Sequence, residues 1–257
     1  MFSKDGVLIV RHENEIGATT DVAAHPEFHD RHTAKTIEGV QTAGWFTEDF
    51  TLTELKTLRC RERLPELRPQ NTRFDGQDEI LAFEELIELA QARGVGLYVE
   101  MKHPAYFDAL GFSMTRATAD ILHHHKLDNE DAPVFIECFD ARAMRAMPIL
   151  TGARLGQLIA ASDAFDLTDI AAYAHAVGPE KSLIANTTFI ADAHAAGLQV
   201  HAWTFRPENT FLPPEFRSGE NPAAHGDLEG ELRNAIAMGI DGVFCDLPAV
   251  ARRVIDS

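Results

Sequence analysis

The sequence predicts an α/β protein built on a parallel sheet, and three observations carry that prediction. From Glu79 onward, short apolar runs alternate with amphipathic stretches at the spacing of βαβ units. The chain has 257 residues, of which 45% are hydrophobic, enough for one large core; that length fits a single α/β barrel better than two small units. Finally, the run Gly96–Val99 ends in Glu100 and Lys102, an acid and a base two residues apart and therefore on one face of a strand. In parallel α/β folds ligands bind at the C-terminal ends of strands. Taken alone, such a pair also fits a structural ion pair at a strand end.

Near the N-terminus, Asp5-Gly6 before the apolar run Val7–Val10 signals a hairpin turn. Only Met1–Lys4 precede it, too few for a strand along Val7–His12, so the chain reads as beginning inside a structural unit. Residues 13–75 are polar and broken by Gly and Pro, an excursion following the hairpin strand rather than core. Within it, Thr51 and Glu54 have capping-box spacing, and Leu52, Leu55 and Leu58 form a short helical stripe. His25, His29 and His32 stand at helical intervals, but Pro26 interrupts the helix that would align them as ligands, so no metal site is read there.

Ile80–Arg93 is amphipathic and stops at Gly94, leading into the strand that carries Glu100. The alternation continues with a helix within Phe107–Lys126, a strand Val134–Phe139, a helix within Asp140–Leu150 and a strand around Leu155–Ala160. A helical stretch within Leu167–Val177 then precedes a strand Ser182–Ala185. A helix near Ile190–Ala196 precedes Val200–Phe205, and Glu229–Met238 precedes Gly242–Leu247. That makes six parallel strands. His123-His124-His125 falls near a helix end, where cationic side chains suit the dipole; it reads as a solvated end rather than a ligand set. Arg206–Asp227 is too long for an ordinary βα loop and reads either as part of a binding mouth or as a surface insertion.

The 40 acidic and 23 basic residues give a net charge of -17, which argues against nucleic acid or an anionic membrane as partner. An anionic small molecule is compatible if a metal or local cations offset the field. Cys60, Cys138 and Cys245 lack disulfide or zinc spacing, and Cys138 and Cys245 sit in apolar strand runs that suit a core. No run is long enough to span a bilayer, no apolar signal segment opens the sequence, and the compartment is not readable.

In order and spacing, several stretches resemble the glycerophosphodiester phosphodiesterase family, particularly its bacterial branch related to the periplasmic enzymes. They are Lys4-Asp5-Gly6 running into Val10-Arg11-His12-Glu13, Thr19–Ala23, Asp49–Leu52, Ala82–Glu85, Tyr98–Lys102, Glu137–Asp140, Gln157–Ile159, Trp203-Thr204 and Gly242–Pro248. The resemblance covers essentially the whole chain and implies a (β/α)8 TIM-type barrel in one domain, 1–257. It implies metal-dependent hydrolysis of glycerophosphodiesters to glycerol 3-phosphate and an alcohol, with two histidines as acid and base and a cyclic phosphate on the way. His12 matches one of these histidines, Glu100 one metal ligand and Lys102 the phosphate-facing lysine; Arg11 and Trp203 match substrate-facing positions. The implied cofactor is Ca2+ or Mg2+. The family's His-Arg-Gly segment and Glu-x-Asp strand have no counterpart here. The barrel is therefore expected to be incomplete, lacking its first two strands and first helix, through a shortened chain or a start codon assigned too late. Exposed edges would then favour self-association. Relatives are often periplasmic or secreted. The competing reading is an inactive remnant of the family that binds phosphate or serves as an interaction module.

Overall fold

The structure, a computed structural model, describes residues 1–185 and 188–257. The chain divides into two compact units, 1–154 and 155–257.

The first unit opens on the expected hairpin. Gly6 takes a φ of +79°, open to glycine at no steric cost, and turns Met1–Ser3 back against Val7–Ile9. Ser3 N–H donates to the Val7 carbonyl at 2.9 Å and Ile9 N–H to that of Met1 at 2.8 Å. The residues before the turn, judged too few for a full strand, thus pair over this short stretch. On its other flank the run meets residues 81–83, with Val10 N–H on the Leu81 carbonyl and Phe83 N–H on that of Leu8, both at 2.8 Å.

The excursion contains an antiparallel hairpin that the sequence did not announce, β1 (Thr33–Ile37) and β2 (Val40–Gly44). Its turn residues Glu38 and Gly39 both have positive φ, as a two-residue hairpin loop requires. The strands are exposed along most of their length, so the apolar alternation that marks a half-buried strand is missing. Helix α1 (Leu52–Leu55) carries the predicted capping box: Thr51 Oγ1 accepts from Glu54 N–H, and Glu54 accepts from Thr51 N–H at 2.9 Å. Leu55 and Leu58 are fully buried.

Helix α2 (Phe83–Arg93) buries Phe83, Ile87 and Ala90 and ends at Gly94, where φ is +63°. Strand β3 (Leu97–Glu100) follows. The helix expected within Phe107–Lys126 is the second of two here: an unpredicted helix, α3 (Pro104–Ala109), precedes the expected one, α4 (Met114–His124), and the two are separated at Gly111 with φ +90°. Strand β4 (Val134–Cys138) lies parallel to β3, in register from Leu97 opposite Val134 to Glu100 opposite Glu137. Helix α5 (Ala141–Ala146) starts at Asp140, whose carboxylate accepts from the backbone N–H groups of Arg142 and Ala143.

The second unit takes up β5 (Arg154–Ile159), which begins at the boundary, then α6 (Leu167–Ala171) and β6 (Ala176–Pro179). The helix expected within Leu167–Val177 is α6; the strand expected at Ser182–Ala185 needs correction, because Leu183–Ala185 is a 3-10 turn and the strand lies earlier, at β6. Gly178 and Pro179 close this fully buried strand, and Gly178 leaves room for Leu158, since a Cβ there would stand 2.6 Å from Leu158 Cδ2. Helix α7 (Phe189–Ala195), β7 (Gln199–Phe205), α8 (Leu228–Ala237), β8 (Gly242–Cys245) and the unpredicted α9 (Pro248–Ile255) complete the chain. Strands β5 to β8 are parallel neighbours in sequence order.

Candidate active site

The site is built on the end of β3. Glu100 and Lys102 share a face, as their spacing predicted, with Lys102 Nζ 3.6 Å from Glu100 Oε1 and both side chains largely buried. The parallel register sets Glu137 of β4 beside Glu100. One step down the strands, Tyr98 and Phe135 stack at 5.0 Å with ring planes 5° apart, an apolar floor beneath the carboxylates. Glu137 is only 5% exposed, and its buried Oε2 has no hydrogen-bond partner. Burial pushes its carboxyl up to about 9; the charge of Glu100 adds to the rise and that of Lys102 opposes it. The Tyr98 hydroxyl is held protonated by burial first and Glu137 second.

The N-terminal hairpin supplies the facing wall. A cavity of about 230 Å³ is lined by Val10, Arg11 and His12 on one side and by Leu97–Lys102 on the other, with Phe83, Leu86, Met114 and Thr118 contributing from α2 and α4. His12 is exposed, and its Nδ1 lies 2.6 Å from Glu13 Oε1. That hydrogen bond, with smaller help from the charge of Lys102, holds the Glu13 carboxyl below its usual range. Arg11 reaches the cavity while its guanidinium donates to the Thr19 carbonyl and hydroxyl and contacts Cys60 Sγ at 3.3 Å. Trp203 belongs to the second unit, where its indole N–H donates to the Gly178 carbonyl at 2.8 Å.

The structure thus brings His12, Arg11, Glu100 and Lys102 around one cavity. Sequence reasoning assigned no role to two carboxylates that adjoin that group, Glu137 opposite Glu100 and Glu13 on His12. A signal for Glu137 was present: Tyr98-Val99-Glu100 and Phe135-Ile136-Glu137 repeat one pattern of aromatic, aliphatic and acid at the ends of two adjacent strands. His25, His29 and His32, from which the sequence reading drew no metal site, have separate partners. His25 pairs with Asp21 and Glu27, His29 with the Ala23 carbonyl, and His32 packs edge-on against Trp45.

The donor set also suits a hard divalent cation. Two adjacent carboxylates face a single lysine, and one buried oxygen is orphaned; carboxylate oxygen is the donor that Ca2+ and Mg2+ prefer. Residues that could hold such an ion are Glu100 and Glu137.

Comparison with known proteins bears on this geometry. The chain is 34% identical to glycerophosphodiester phosphodiesterase GDPD6 of Arabidopsis thaliana, over 95% of this chain and 73% of that protein. It is 23% identical to the glycerophosphodiester phosphodiesterase of Haemophilus influenzae, over 96% and 77%. Among solved structures, an Oleispira antarctica phosphodiesterase in complex with the product sn-glycerol-3-phosphate superimposes with a TM-score of 0.69 at 20% identity, covering 100% of this chain and 83% of that one. A Silicibacter pomeroyi protein described as a glycerophosphoryl diester phosphodiesterase gives 0.69 at 18% identity, over 100% and 81%. The sequence profile of the glycerophosphoryl diester phosphodiesterase family matches residues 1–250, and the chain therefore belongs to that family.

Proposed function

We propose that this protein hydrolyses glycerophosphodiesters to glycerol 3-phosphate and an alcohol, with His12 in proton transfer, Lys102 on the phosphoryl oxygens and Glu100 as a ligand to a divalent cation. The observation that carries the proposal is the meeting of His12, Glu100 and Lys102 around one cavity. A phosphodiester repels nucleophiles through its negative charge, and Lys102 meets that charge directly. His12 has an imidazole whose ordinary pKa lies near neutrality, and Glu13 orients the ring through Nδ1, leaving Nε2 to give a proton to the departing alkoxide or to take one from the attacking hydroxyl. A divalent cation held by Glu100 and Glu137 would supply further neutralisation of the phosphoryl oxygens.

The proposal extends to the architecture. All four residues of β3 are only half-buried, whereas β4 is buried throughout; within the second unit β8 is half-buried while β6 is buried throughout. We infer that further strands of the barrel cover these flanks and bring a second histidine and more carboxylates.

The test is release of glycerol 3-phosphate from glycerophosphocholine, measured across a titration of Ca2+ or Mg2+ with this chain and with an N-terminally extended form. Replacing His12 by Gln is expected to cost about 10²–10⁴-fold in turnover. Glu100→Gln should raise the cation concentration needed, and Lys102→Met should mainly weaken substrate use. Turnover by His12→Gln equal to the parent protein, or an unchanged cation requirement in Glu100→Gln, would remove that residue from the site.

A further inference from the structure

The triplet His123-His124-His125 was read from sequence as a solvated helix end, and the structure gives two of its members a different setting. α4 ends at His124, with His125 as its C-terminal cap, and there the two imidazoles meet Glu84 from the first turn of α2. One ligand atom from each of Glu84, His124 and His125 lies within 4.8 Å of the others. The two rings stand nearly perpendicular, at 85° with centroids 5.2 Å apart. His125 Nε2 is buried, has no hydrogen-bond partner, and stands 3.6 Å from Glu84 Oε1, beyond hydrogen-bonding distance. His123 takes no part: its Nδ1 is bound to Asp128 at 2.6 Å.

A buried imidazole nitrogen aimed at a carboxylate it does not touch, with a second imidazole alongside, is a set of donors around a common point. We propose that Glu84, His124 and His125 form a site for a borderline divalent transition ion, Zn2+ in the first place, that clips the start of α2 to the end of α4. Two imidazoles and one carboxylate are the donors such an ion prefers, whereas Ca2+ and Mg2+ favour oxygen alone. Bonds of about 2.0–2.2 Å draw tetrahedral ligands closer than their present spacing. Rotation of the exposed Glu84 and His124 side chains supplies that movement without disturbing the buried faces. Three protein ligands leave the fourth position to water. The clip has a consequence for the cavity, because Phe83 and Leu86 on α2 and Met114 and Thr118 on α4 line it.

The experiment uses the full chain carrying Glu100→Gln, which removes the proposed cation ligand on β3, and measures Zn2+ binding by calorimetry and Co2+ binding by its visible d–d spectrum. The expected result is one equivalent of Zn2+ and an intense tetrahedral Co2+ band. Both should weaken at least about tenfold when Glu84→Gln or His124→Ala is added, since each removes one of only three ligands. His123→Ala should leave both unchanged. The melting temperature should rise with Zn2+ in the parent and not in Glu84→Gln, because an ion bound only by the folded state stabilises it. Glu84 and His124 are exposed, so these variants fold, and far-ultraviolet circular dichroism verifies it. Binding that survives Glu84→Gln and His124→Ala, binding lost in His123→Ala, or a six-coordinate Co2+ spectrum would overturn the assignment.

Discussion

Two buried glutamates of the first unit show how much a carboxylate depends on what surrounds it. Glu48 is 8% exposed and meets Lys35 at 2.9 Å, the Asn14 amide, the Thr47 hydroxyl and the Tyr106 hydroxyl. Glu137 is buried as deeply and keeps an oxygen with no partner. In metal-free protein between about pH 4.5 and 9, folded Glu137 holds a proton that the unfolded chain releases, so stability should fall as pH rises through that window. Glu137→Gln cannot ionise and should remove the slope, gaining on the parent by an amount on the order of a few kcal/mol toward the alkaline end. Urea unfolding near the two ends of the window, with and without Ca2+ or Mg2+, checks this; a parallel slope in the variant would mean Glu137 is not its source. Sequence parity alone placed Glu100 beside Lys102. It could not place Glu137 beside them, because register between strands separated by two helices depends on how those helices pack.

At the scale of elements, capping chemistry was the most legible part of the chain, since it needs only residues three positions apart. Thr51 and Glu54 make the predicted box, and the same Glu54 receives Arg31, whose guanidinium also lies over Phe28 and Phe50 at 5.0 and 4.8 Å. The hydrogen bond from Arg31 first, and the Thr51 contacts after it, hold the Glu54 carboxyl down at about 2. Stability from this pair is therefore present above the ordinary carboxylate range and lost as pH falls through about 2. Because both side chains are nearly a third exposed, Arg31→Met should cost only about 1 kcal/mol near neutrality, with the difference shrinking on acidification. Chemical denaturation of both proteins at neutral and strongly acid pH measures it. What the sequence hid were elements without period. The polar hairpin β1–β2 has no buried face to alternate, and β6 ends in the glycine and proline that ordinarily punctuate. The loop 206–227 likewise owes part of its shape to a polar side chain: Asn209 donates to the Ser218 and Asn221 carbonyls and accepts from Ser218 N–H, each at 2.9 Å. Asn209→Ala should destabilise the protein by roughly 2–4 kcal/mol and speed amide exchange between 210 and 225. Unchanged exchange there would show that the loop is held by other means.

At the scale of the whole molecule, six parallel strands were counted from sequence and six are present among the described residues, beside the short antiparallel hairpin. The count was legible because strands and helices alternate in composition; their family was legible because short motifs recur in order over the whole length. The half-buried strands β3 and β8 expose apolar residues such as Leu97, Val99 and Val243 that a covering strand would protect. Half-covered strands invite pairing with other chains. Sedimentation velocity of this chain should show association that rises with concentration, and the N-terminally extended form should show less. Equal behaviour of the two would argue that these flanks need no further cover.

The loop 206–227 carries a consequence for how this protein can change. Its two ends meet, with Gly226 N–H on the Pro207 carbonyl at 2.9 Å and Glu208 bridged to His225, so the chain leaves and re-enters at nearly one point. Between those ends the chain makes a closed circuit that also meets the start of α8, where Asp227 N–H donates to the Phe216 carbonyl at 2.7 Å, and that buries Leu212. Evolution can therefore re-letter or resize this segment as a cassette, provided each new version keeps the closure at Pro207 and Gly226, the tie from Phe216 to Asp227, and the bonds of Asn209 or their equivalent.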